Sequence, residues 1–96
     1  MTGEYDSADS EKARVQGAAR AAVVALDKVL PQGTLELEGA MVQEAFGMEF
    51  VFAGVHVLAD RGDRLLTGTC EVKHGQEEAA VLAVLDATNR WLQTRR

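Results

Sequence analysis

Cysteine, proline, aromatic residues and cations in the central third are all scarce in this chain, and each scarcity narrows what it can be. Of 96 residues only Cys70 is a cysteine, so a disulfide-stapled scaffold is excluded. The only proline is Pro31, and no proline- or serine-rich stretch marks a linker. Aromatic residues make up 5% of the chain, so a core must be built from Val, Leu and Ala. No apolar run approaches the roughly 18–20 residues of a membrane helix. Met1–Ser10 (MTGEYDSADS) has neither the basic cluster nor the apolar stretch of a secretory signal. The expectation is a cytoplasmic protein, and a lone thiol fits a reducing compartment.

What is present suits one small globular domain. Hydrophobic residues reach 47% and charged residues 26%, which excludes intrinsic disorder. Surface scaling gives burial of about 64% of the unfolded chain's area, enough for one modest core. Residues 11–94 are read as a single domain and 1–10 as a flexible N-terminal segment. Seven Arg against three Lys, with 15 Ala and 11 Val, suggest a GC-rich bacterial genome.

The formal charge of −5 is concentrated. Residues 33–60 carry Glu36, Glu38, Glu44, Glu49 and Asp60 with no Lys or Arg, while four basic and five acidic groups before them and six and five after nearly cancel. A surface built from that segment repels phosphate, because nucleic-acid affinity comes largely from Lys and Arg displacing counterions. Neither nucleic acid nor a membrane is expected as a partner.

Apolar residues at Val15, Ala19, Ala22, Leu26 and Val29 or Leu30 recur at spacings of three and four, predicting a helix over 11–30. Ser7, Asp9 and Ser10 are candidate N-caps, and Pro31 with Gly33 ends the helix. Three strands are expected next. Residues 34–42 (TLELEGAMV) alternate, with Leu35, Leu37, Gly39 and Met41 on one side and Glu36, Glu38, Ala40 and Val42 on the other. Residues 48–59 (MEFVFAGVHVLA) are apolar on both sides. Residues 64–72 place Leu66, Gly68, Cys70 and Val72 on one face. A loose loop over 44–47 and a short one over 60–63 make neighbours antiparallel. Lys73-His74-Gly75 leads into a second helix over 76–94, with Val81, Leu82, Leu85 and Leu92 as one stripe and Ala80, Val84, Ala87 and Trp91 as another.

The predicted fold class is therefore α+β, in α-β-β-β-α order, with a three-stranded antiparallel sheet and two helices packed on one face. This order resembles that of the double-stranded-RNA-binding domain over most of the chain. That family sets a basic cluster at the start of its last helix to grip phosphates. Here Gln76, Glu77 and Glu78 occupy that place, so the resemblance stops at topology.

No phosphate-binding glycine loop, serine elbow, HExxH or CxxC pattern occurs, and neither cofactor nor metal is expected. His56 lies in the most apolar strand. As a general base it needs an orienting carboxylate, for which Glu38 and Glu71 on neighbouring strands are candidates. His74 precedes a helix and is read as solvated or capping. Cys70 alternates inward and is read as a small buried hydrophobe. Arg61-Gly62-Asp63 is read as turn chemistry rather than an adhesion signal. Nothing here marks an enzyme.

The second strand points furthest. With two helices covering one sheet face, its other side exposes either Phe50, Phe52 and Leu58 or Val51, Val55 and Val57, joined by Leu65 and Val42. Such a patch on a small protein marks an interaction surface. The expected function is a non-enzymatic association or regulatory module, acting as a homodimer or as a subunit of a larger complex. A small-ligand or enzymatic site on the same face, around His56 and Glu38, is the alternative.

Overall fold

A computed structural model describes the backbone of residues 3–29, 34–59 and 62–94, and the side chains of 10–29, 34–58 and 64–89. The elements are α1 (Gly3–Val29), β1 (Leu35–Ala45), β2 (Met48–Ala59), β3 (Gly62–Glu71) and α2 (Gln76–Thr94). The strands form one antiparallel sheet in the order β1-β2-β3, so the expected α-β-β-β-α fold is the observed one. The helix stop at Leu30–Gly33, the Asp60-Arg61 connection and the side chains of Asp63, Trp91 and Leu92 lie outside the described residues.

Helix α1 starts at Gly3 rather than at residue 11, because no glycine or proline between Glu4 and Gln16 interrupts it. Ser7, Asp9 and Ser10 are consequently inside the helix and do not cap it.

Alternation along β2 decides where the core lies. Val51, Ala53, Val55 and Val57 are buried together with Val15, Ala19 and Val23 of α1 and Ala79, Ala80, Ala83, Val84 and Ala87 of α2. Both helices thus cover the same face, while Phe52 and Leu58, pointing the other way, stay exposed. Val51, Val55 and Val57, one of the two candidate interface sets, are core residues: the helices need an apolar floor, and this side of β2 provides it.

The core is built from small residues because α2 lies directly on the sheet backbone. A Cβ at Gly68 would stand 2.2 Å from the Ala83 carbonyl oxygen and 2.6 Å from the Ala87 nitrogen. Leucines cannot fit at that separation. The expected leucine stripe therefore flanks the contact, with Leu82 and Leu85 exposed and Val81 half-buried, and alanines fill the contact itself. Val29 of α1 is likewise exposed, with Val23 buried instead. Thr88 is buried within α2 and satisfied there, its Oγ1 donating to the Val84 carbonyl at 3.0 Å.

Strand β1 carries a bulge. Leu37 pairs with Val55 and Gly39 with Gly54, which leaves Glu38 as an extra residue. The bulge reverses the expected alternation, so Leu35, Leu37, Ala40 and Val42 all reach the core. Val42 is thereby removed from the outer face, where Met41 is exposed in its place. The β1–β2 connection is tighter than the expected loop. Phe46 and Gly47 form a two-residue turn with φ of 56° and 72°, and Glu44 and Ala45 remain in β1 opposite Glu49 and Met48.

Helix side chains blunt both edges of the sheet. On β1, Gln16 Oε1 accepts from Ala40 N and Asp27 Oδ1 from Thr34 N and Leu35 N, each at 3.1 Å. On β3, Asp86 Oδ2 accepts from Thr69 N at 3.2 Å. These bonds occupy backbone groups that an edge strand would otherwise offer to another chain.

Candidate interaction surface on the open sheet face

The face turned away from the helices is read in rows across the three strands. Met41, Phe52 and Thr69 form one row, since Phe52 pairs with both of the others. The adjoining row is Gly39, Gly54 and Thr67, and beyond it come Glu36, His56 and Leu65. On the other side of the Phe52 row stand Gln43, Phe50 and Glu71. Met41 is 51% exposed, Leu65 53%, Met48 41%, Leu58 39% and Phe52 38%. Where the two glycines pair, the surface falls into a shallow depression of about 400 Å³, bordered on the sheet by Glu38, Met41, Phe52 and Leu65 and, round the β1 edge, by Lys12 and Gln16 of α1.

His56 is on this face and meets one of its two expected carboxylates. Its Nε2 donates to Glu38 Oε1 at 2.6 Å, within reach because the bulge brings Glu38 beside His56. Its Nδ1 is buried and makes no hydrogen bond. Nε2 is thus engaged by Glu38 on the open face and Nδ1 is turned inward, with the His56 side chain 30% exposed. The pair anchors Glu38 at the rim of the depression. Glu71 pairs with Phe50, six positions along β2 from His56 and so about 20 Å away, and takes no part.

Of the other candidates, Cys70 is half-buried against the core, with its Sγ 3.4 Å from the Glu71 carbonyl oxygen, and His74 is exposed in the bend before α2. No group of three His, Cys, Asp or Glu side chains suited to a metal ion occurs among the described residues. No helix among the described residues is long and apolar enough to cross a membrane. Glu77 and Glu78 occupy the first turn of α2.

Phe50, Phe52 and Leu65, expected at an interface, do lie on the outer face. Met41 and Met48 were missed by sequence reasoning. Gly39 inside an alternating strand was the available sign of a bulge, which would have moved Met41 outward. Compared with protein-family models, with curated proteins and with solved structures, the chain matches none.

Proposed function

We propose that the protein is a non-enzymatic association module that binds a second copy of itself through the helix-free face of its sheet. The observation that carries this reading is the exposure of Met41, Met48, Phe52, Leu58 and Leu65 together on that face. At roughly 200 Å² for a full-size apolar side chain, these exposures leave about 450 Å² per copy, or about 900 Å² in a pair. Adding the intervening threonines and backbone brings the contact towards the 1,200–2,000 Å² of stable interfaces. The apolar part alone is worth a gross ~20 kcal/mol, against association costs of roughly 4–15 kcal/mol. The helix side chains bonded to edge amides of β1 and β3 favour the face over the edges as the contact. Glu36, Glu38 and Glu71 on that face outnumber Lys12 at the rim of its depression, which makes a polyanion an unfavourable occupant. The half-buried Cys70 thiol suits a reducing cytoplasm.

The test is a pair of substitutions followed by sedimentation velocity. Phe52→Arg should convert the assembly to monomer, and Arg20→Ala, on the exposed side of α1, should behave as the wild type. Assembly that survives Phe52→Arg would remove the sheet face from consideration.

A further inference from the structure

Gly54 lies in the middle of the central strand, where glycine weakens a sheet by adding backbone entropy and omitting a packing side chain. Within one copy neither backbone conformation nor a severe clash requires it. A Cβ there would be 3.4 Å from Glu38 Cβ and 3.5 Å from Leu65 Cδ1, which are ordinary contacts, and its backbone is not left-handed. Gly68 differs because α2 occupies the space its side chain would need. A strand glycine marks a bulge or a close approach from outside; the bulge here lies in the neighbouring β1, and the outward side of Gly54 leaves room for the approach.

Resting on the association reading above, we infer that two copies dock with the Met41–Phe52 row of each seated on the Gly39–Gly54 row of the other. The register makes this self-complementary. Phe52 and Gly54 are two residues apart on β2, about 7 Å. A two-fold axis lying across the strands between these rows sets the two β2 strands antiparallel and stacks β1 on the partner's β1. Phe52 then faces the partner's Gly54, Met41 the partner's Gly39 and Thr69 the partner's Thr67. The large side chains enter the depressions of about 400 Å³. The same operation places Glu36 over the partner's Gln43, His56 over the partner's Phe50 and Glu71 over the partner's Leu65, so no glutamate in these rows opposes another. An axis along the strands instead stacks Phe52 on Phe52 and leaves depression over depression, forfeiting contact.

Two measurements test the docking. In the full chain, Gly54→Ala should weaken the dimer by about tenfold, as a methyl group intrudes where the partner's Phe52 ring rests. In a Phe52→Arg background that holds the chain monomeric, Gly54→Ala should leave the urea midpoint unchanged or raise it. A fall in that midpoint would show that the fold itself needs the glycine and would overturn the inference. An unchanged dissociation constant for Gly54→Ala, in a dimer that Phe52→Arg still disrupts, would overturn the row-on-row docking and leave the association reading standing. A wild-type chain that stays monomeric would remove both.

Discussion

The two faces of β2 invert the usual distribution of size. Towards the helices the strand presents Val51, Ala53, Val55 and Val57, all at 0–1% exposure, while Phe52 and Leu58 at 38–39% look outward. A chain selected only to hide apolar area within one copy would place its phenylalanines beneath the helices. Here the helices come too close for that, as the alanines of α2 and the bare backbone at Gly68 require. The inner face is fitted to the chain's own helices. The outer face leaves its largest apolar groups exposed, and these are the groups the proposed self-association would cover.

Adding one methyl group to each face should separate these roles most sharply. Gly68→Ala forces α2 off the sheet and should lower the unfolding free energy by about 3 kcal/mol in urea titrations. Gly54→Ala should cost the monomer nothing. Truncations give the next contrast. Val55→Ala removes core packing and should cost about 2 kcal/mol, whereas Phe52→Ala should cost the monomer less than ~1 kcal/mol and be felt chiefly as a loss of dimer. Equal losses of monomer stability would mean that the faces do not differ as described.

Smaller effects examine the margins of the outer face. Gln16→Ala leaves Ala40 N without its partner and should cost about 1 kcal/mol. Association should not change with it, because the proposed contact is the face and not the edge; stronger self-association would show an uncapped edge recruiting another chain. Phe46 holds φ of 56° with its side chain 93% exposed, a combination unfavourable for an aromatic residue. Phe46→Asn should therefore raise thermal stability by roughly 0.5–1 kcal/mol. A simultaneous loss of dimer would extend the contact surface to the hairpin tip.

The element order was legible because helix and strand periods differ and turn residues separate them. The face of β2 was not, since both of its sides are apolar and only the placement of the helices distinguishes them. In β1, the residues Leu35–Val42 alternate as though unbroken, and a bulge at Glu38 changes the outcome for every later residue. Leucine spacing in α2 resembled a core stripe, yet depth was set by Gly68 on a distant strand, which local periodicity does not register. His56 and Glu38 were legible as a pair, but the burial of Nδ1 depends on three-dimensional packing.

The most direct measurement is the mass of the wild-type chain by light scattering across about 1–100 μM. A self-associating sheet face predicts that the mass rises with concentration from 10.3 kDa towards twice that value. A mass that stays at 10.3 kDa throughout would contradict it.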